Sequence, residues 1–265
     1  MSYLFMVNTS PEGPCCLCGV TGPLSWEHVP PQSAFNNQTV LLAEVKRLLG
    51  RDWWPERHDV KTTQQQGGAG HYTLCPRCNN DTGSWYVRAY VQLVRDAMPA
   101  LQVAKAGDLA YVAANIRPLR VLKQLLVMFC SVCGPNFVFP DMTRYLLNRE
   151  SRDLPPGHDV YLGLYDRTSF ASRQAGLTGR LDLSGASCTY AEISFPPLTL
   201  VLAVNSPSSD PRLMRVTWFN QFGFHDRWHG TLPLDCLQVN TAIPGTYSTR
   251  EQIEQARAER LAHVG

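Results

Sequence analysis

Cys15-Cys16-Leu17-Cys18 and Cys75-Pro76-Arg77-Cys78-Asn79-Asn80 organise this chain, and Glu27-His28-Val29-Pro30-Pro31 lies between them. Two Cys-x-x-Cys pairs supply four thiolates, which complete a tetrahedral zinc shell with no open position. Such a zinc is structural: it joins chain segments and does no chemistry itself. The gap between the pairs is roughly three times that of a short zinc ribbon. Closing the longer loop costs only about 1 kcal/mol more, against an apparent binding energy of roughly 10–16 kcal/mol for a structural zinc. Cys15, Cys18, Cys75 and Cys78 are therefore the predicted zinc ligands, with Cys16 a bystander or an alternate for Cys15.

A chain of 265 residues that is 44% hydrophobic buries a sizeable core, expected as a small metal-stapled domain over residues 1–100 and a larger one over 101–265. The start, Met1-Ser2-Tyr3-Leu4-Phe5-Met6-Val7, lacks the basic region of a secretory signal, and no stretch is long enough to span a bilayer. The expectation is a cytoplasmic protein with no membrane partner, where thiols stay reduced and paired cysteines hold metal. Nine cysteines, an odd number, argue against a complete disulfide framework. A net charge of +2 advertises no polyanion partner, so contacts to nucleic acid must come from local patches.

The fold class expected is α+β. Gln64 to Gly70 reads as a flexible loop, leading into a strand-like run from His71 to Leu74. Val87, Tyr90, Val91 and Val94 recur at helical spacing, which predicts a helix over Ser84 to Ala97 stopped by Pro99. A second helix opens with Pro118 in its first turn and carries Leu119, Leu122, Leu125, Leu126 and Phe129 on one side. From about Asp159 the pattern changes to strands at 160–164, 190–195, 198–204, 214–219 and 234–239, separated by proline-rich breaks. This region reads as a mostly antiparallel β domain. Ser248 and Glu251 form a predicted capping box for a charged C-terminal helix.

These motifs resemble the HNH endonuclease superfamily: a Cys-x-x-Cys knuckle, an acidic residue followed by His in Glu-His-x-x-Pro, and a second knuckle running into Asn-Asn. In ligand order the chain is similar to zinc-containing phage resolvases of the endonuclease VII type. The resemblance covers residues 12–97. It implies a ββα-metal fold, in which a pair of strands and a helix hold one catalytic divalent ion over the scissile phosphate of DNA, RNA not being excluded. It further implies that Glu27 ligates that ion, that His28 is the general base and that Asn79 is a second ion ligand; carboxylate and amide oxygens are hard ligands suited to magnesium or manganese, and His71 and Asn80 are the accessory candidates. General chemistry agrees, since an imidazole beside a divalent cation can activate water in line with a phosphodiester. Because Glu27 and His28 are adjacent, their side chains diverge in an extended strand, and a bend at Val29-Pro30-Pro31 would help both to reach one site.

The middle Asn of the family pattern would fall just before Cys75, where this chain has Gly70 and His71. His71, Asn36 or Asn37 are the candidates for that role. Loss of this Asn leaves a second reading open, a catalytically degenerate zinc-knuckle module that binds nucleic acid or protein. Cys130 and Cys133 read as buried thiols. His225 and His229 lack the neighbouring Glu of a zinc-hydrolase motif. Trp53-Trp54 with Arg51 and Arg57 either stacks on nucleic acid or plugs a long insertion onto the core. The 101–265 region would select substrate, sense an activating protein partner or form a homo-oligomer. By analogy, nucleases with such an added region serve mobile elements or anti-phage defence.

Overall fold

The computed structural model describes residues 11–43, 62–135, 137, 139–169, 172–181, 187–208, 210–241 and 243–264. The Trp53-Trp54 pair and its two arginines lie outside these residues. The N-terminal part begins with a hairpin of β1 (Glu12–Pro14) and β2 (Thr21–Pro23). β3 (Ser25–His28) pairs antiparallel with β6 (Gly70–Leu74), and β4 (Val40–Leu42) with β5 (Thr63–Gln65). The expected flexible loop is therefore partly a strand. Asn36 holds the turn beyond β5: its Oδ1 accepts from the Ala69 amide, and its Nδ2 donates to the carbonyls of Ala69 and Pro30.

β6 runs straight into α1 (Pro76–Thr82), a π-helical stretch (Gly83–Val87) and α2 (Arg88–Val103). The predicted helix thus starts earlier and ends later than its periodicity suggested. Pro99 sits inside it. A proline removes one intrahelical hydrogen bond, but Ala97 and Leu101 on either side are buried, and that packing carries the helix four residues further.

β7 (Leu109–Ile116) alternates exposed and buried residues along its whole length, the mark of a strand with one wet face. Small alanines at 110, 113 and 114 hide that pattern in the sequence. α3 (Pro118–Cys133) has Pro118 in its first turn, as expected. Leu119, Leu122, Leu125, Leu126 and Phe129 are fully buried, worth about 1.5–3 kcal/mol each. Lys123, Gln124 and Ser131 are buried too. A helix enclosed on all sides must have neighbours on all sides. α3 lies against α2 and the π stretch on one side, and against β9 (Arg173–Leu181), β10 (Ser187–Phe195) and β11 (Leu198–Val204) on the other.

The large sheet is ordered β7-β13-β8-β11-β10-β9, with β8 at His158–Tyr165 and β13 at Trp228–Leu237. The short β12 (Met214–Arg215) also pairs with β8. Neighbours are antiparallel except β13 and β8, which run parallel where Cys236 meets Leu164. The strand expected over 214–219 stops at Arg215, and Thr217–Gln221 forms a 3-10 turn. The Thr217 hydroxyl explains this: it donates to Asp159 and accepts from the Val160 amide, drawing the chain out of the ladder. α4 (Pro140–Leu147) packs beside α3, and α5 (Arg250–Val264) closes the chain. The cap of α5 is displaced by one residue from the expected pair. Thr249 accepts from the Gln252 amide while the Gln252 side chain accepts from the Thr249 amide, a reciprocal capping box.

One apolar cluster includes Leu17, Val29 and Leu74 together with Val112, Phe129, Leu162 and Leu234. It crosses the boundary expected near residue 100 without interruption. No helix among the described residues is long and apolar enough to cross a membrane.

Candidate active site and metal centre

The two knuckles meet. The sulfurs of Cys15, Cys18, Cys75 and Cys78 lie within 4.8 Å of one another, and those of Cys18 and Cys75 are 3.9 Å apart. Four sulfurs at a Zn–S distance of about 2.3 Å stand about 3.8 Å apart in a tetrahedron. The cluster can therefore hold a metal ion such as zinc with little rearrangement. Backbone donors shape it: the amides of Leu17 and Cys75 point to the Cys15 sulfur at 3.5 and 3.3 Å, and the Cys78 amide to the Cys75 sulfur at 3.5 Å. Gly19 closes the first knuckle at φ +74°, a conformation cheap only for glycine. Cys75 caps α1, with Pro76 at its first position.

The Cys78 thiol holds Cys15 well below the ordinary thiol range, with backbone donors adding to the effect against the cost of burial, and Cys78 is pushed up in exchange. Cys16 stays outside the cluster. Its amide donates to the Thr73 carbonyl at 2.7 Å, and burial pushes its thiol up to about 11.

Beside this cluster, Glu27, His28 and Asn79 border one cavity of about 330 Å³ together with Trp26, Thr82 and Gln124. The three expected site residues are thus brought together. Strand pairing sets Glu27 opposite His71 and His28 opposite Gly70. The bulge in this pair falls between Ser25 and Trp26, ahead of both site residues rather than after them. Trp26 stands edge-on to the His28 ring, centroids 6.1 Å apart. Glu27 is only 7% exposed, and its carboxylate accepts a hydrogen bond from Ser131 near the end of α3. Burial lifts that carboxyl to about 7, with the Ser131 bond acting in the opposite sense.

Asn79 closes α1 onto β3. Its Nδ2 donates to Ser25 Oγ at 3.0 Å and to the Trp26 carbonyl at 3.1 Å, so Oδ1 is its remaining polar atom. Asn80 is exposed and does not border the cavity. His71 faces away towards the large sheet, its Nε2 2.7 Å from Gln174 Oε1. Gln174 also donates to the Val29 carbonyl, next to His28. Gly70 cannot carry a side chain here, because a Cβ would lie 2.2 Å from the Glu27 carbonyl oxygen. Of the candidates for the middle Asn, Asn36 is the one pinned inside the loop after His28. Cys130 is buried and Cys133 half-buried, both outside the thiol cluster. His225 precedes β13 and His229 lies on it, so the two do not share a helix.

Residues bordering the cavity, Glu27, Asn79 and Gln124 among them, carry side-chain oxygens. A carboxylate and an amide oxygen are hard donors of the kind magnesium and manganese prefer, and Gln124 Oε1 is a further buried oxygen with no hydrogen-bond partner. Sequence reading missed Gln124, Ser131 and Gln174, which lie about 50 to 150 residues from the motif and have no spacing relation to it. Comparison with known proteins adds no family: no family model, curated protein or solved structure matches this chain.

Proposed function

We propose that the chain is a metal-dependent endonuclease of the HNH type, hydrolysing phosphodiester bonds in DNA. The observation that carries this reading is the shared cavity of Glu27, His28 and Asn79, on a strand pair followed by a helix and beside four clustered cysteines. In this reading the thiol cluster holds a structural zinc that fixes α1 against β3 and β6. The His28 imidazole takes a proton from water, whose oxygen bonds to phosphorus as the bond to the 3′ oxygen breaks. The leaving oxygen takes its proton from solvent, giving a 5′-phosphate and a 3′-hydroxyl. A magnesium or manganese ion on Glu27 and Asn79 would supply positive charge at the leaving oxygen. Asn36 and Gln174 hold the carbonyls of Pro30 and Val29, and so fix the backbone that follows the base.

Cleavage of supercoiled plasmid by the zinc-loaded protein, with magnesium, manganese or chelator, tests this beside His28→Ala of equal zinc content. The expected result is metal-dependent nicking lost by at least 1,000-fold in the variant, within the range that a general base contributes together with its positioning. A folded, fully active His28→Ala sinks the mechanism. Absence of cleavage by the wild-type protein, with retained DNA binding, favours the degenerate binding module.

A further inference from the structure

Three arginines crowd the start of α3. Arg117 caps the helix and Arg120 lies in its first turn, which carries no acidic residue. A helix N-terminus is itself partly positive, so this placement adds like charge to like. Arg149, just beyond α4, completes the group: the Arg120 and Arg149 guanidiniums stand 3.7 and 5.2 Å from the centre of one ring, that of Phe224. Arg120 is held in place, with Nε donating to the Phe224 carbonyl at 2.8 Å and Nη2 donating to His225 Nδ1 at 3.5 Å. Burial pushes Arg120 down from the ordinary guanidinium range, and the charges of Arg117 and Arg149 push it further.

The chain offers this group one counter-charge. Among the described residues no acid lies within ion-pair distance of Arg117 or Arg120, and Glu150 meets the group at 3.4 Å from Arg149 Nε and 3.8 Å from His225 Nε2. Asp153 and Asp226 accept from Ser151 and from the Gly223 amide, and each has an arginine next to it in sequence, Arg152 and Arg227. Three guanidiniums against one carboxylate leave a local excess of positive charge in a chain whose net charge is only +2, and such an excess attracts an anion. Arg149 and His225 are exposed, so an anion can reach the group from solvent.

The surroundings favour nucleic acid over a small anion. Half-buried Trp218, Phe222 and Trp228 pack against one another nearby in the chain, with Trp218 5.8 Å from Phe222 and 5.4 Å from Trp228 between ring centres, and Arg152 donates to the Gln221 carbonyl among them. Arginines beside aromatic rings suit a strand that offers both phosphates and bases. The group also adjoins the cavity. Arg120 stands one turn of α3 before Gln124, which borders it, and the stretch that lends Gly83 and Val87 to the cavity sets the Tyr86 ring 6.4 Å from that of Phe224.

We propose that Arg117, Arg120 and Arg149 form a binding patch for the phosphodiester backbone of nucleic acid. The patch takes its substrate from the nuclease reading, on which it rests, and places substrate affinity outside the knuckle region: phosphate contacts at the start of α3 hold the strand that the cavity cuts.

The test is binding of short fluorescein-labelled DNA, single-stranded and duplex, to the full-length zinc-loaded protein by anisotropy, across a series of salt concentrations without magnesium or manganese. Wild type, Arg117→Gln, Arg149→Gln and the control Arg215→Gln, whose arginine pairs with Asp159, are compared at matched zinc content. The expected result is affinity lowered at least about fivefold in Arg117→Gln and Arg149→Gln, with the slope of log affinity against log salt reduced by about one for each arginine lost, and no change in Arg215→Gln. In plasmid cleavage, Arg149→Gln should raise KM and leave kcat unchanged. Wild-type affinity and slope in both patch variants, or an equal loss in Arg215→Gln, overturns the patch and leaves the nuclease reading standing wherever metal-dependent cleavage persists. Patch-dependent binding with no cleavage by the wild type supports the patch and sinks the nuclease. Variants that lose binding to phosphatidylserine vesicles while keeping DNA affinity would assign the arginines to a lipid surface and overturn the proposal. Should Arg117→Gln not fold, the exposed Arg149→Gln decides alone.

Discussion

Asn36 is 1% exposed and spends its whole amide on the backbone, linking Pro30 on one side of the loop to Ala69 on the other. The Ala69 carbonyl keeps a bond from the Val29 amide, so Asn36→Ala strands two buried backbone groups, the Ala69 amide and the Pro30 carbonyl, at about 1 kcal/mol each or more. Loss of roughly 2 kcal/mol in urea unfolding, with zinc content retained, is the expected outcome. Gly68 is bound to the same device, since it holds φ +106° and a Cβ would stand 2.0 Å from the Asn36 carbonyl oxygen. A second residue-scale device lies far from the site. Arg173 and Glu192 form a buried ion pair at 2.7 Å. The guanidinium also donates to the carbonyls of Thr241, Ile243 and Thr246, while Glu192 accepts from the Gly245 amide. Removing one partner of such a pair leaves an uncompensated buried charge, at a cost of roughly 3–5 kcal/mol. Arg173→Met should show that loss in urea and release the 241–247 loop to proteolysis.

At the scale of elements, α3 ties the rest together through a buried lysine. Lys123 Nζ donates to the carbonyls of Tyr145, Asn148 and Arg149 at 2.8, 2.7 and 3.3 Å, at the end of α4 where a helix has no further amides of its own to offer its last carbonyls. Its ammonium also stands 4.3 Å from the centre of the Tyr145 ring. Burial lowers this lysine to about 7, opposed by Glu150 and Asp153. Between about 7 and its ordinary 10.5 the unfolded chain holds a proton that the folded chain does not. Stability therefore rises with pH across that window, and is lost as pH falls back through it. Urea unfolding from pH 7 to 9.5 should show this slope in the wild type and a flatter one in Lys123→Met. The variant should also be less stable at the top of the window, because the α4 carbonyls lose their donor.

For the whole molecule, the continuous apolar cluster decides how the chain unfolds. α2 packs on β7, and α3 stands between the knuckle region and the large sheet, so neither part has a complete core alone. The full chain should melt in one calorimetric transition, and a fragment of residues 11–104 should lack a cooperative melt even with zinc. Two separate transitions would show that the halves are independent. Stripping metal from the thiol cluster should lower the melting temperature of the whole chain by ten degrees or more, since metal binding to a site absent from the unfolded chain adds directly to folding energy.

The local determinants were legible because they are short-range. Cys-x-x-Cys spacing sets ligand geometry within one turn, Pro118 marks a helix start, and the short apolar run of Leu198–Val204, bounded by Pro196-Pro197 and the proline-rich break after it, reads as a buried strand. From these the sequence by itself determined the four-thiol cluster, the α+β class and the mostly antiparallel sheet, and it named Glu27, His28 and Asn79, which one cavity brings together. What it did not determine depends on partners distant in the chain. Pro99 failed to stop a helix that buries Leu101 beyond it, Thr217 left a strand for Asp159, and the α5 cap moved from Ser248 to Thr249. The tertiary structure alone decided that Gln124, Ser131 and Gln174 stand at or behind the site, because no local pattern encodes which buried polar group will face another some 100 residues away.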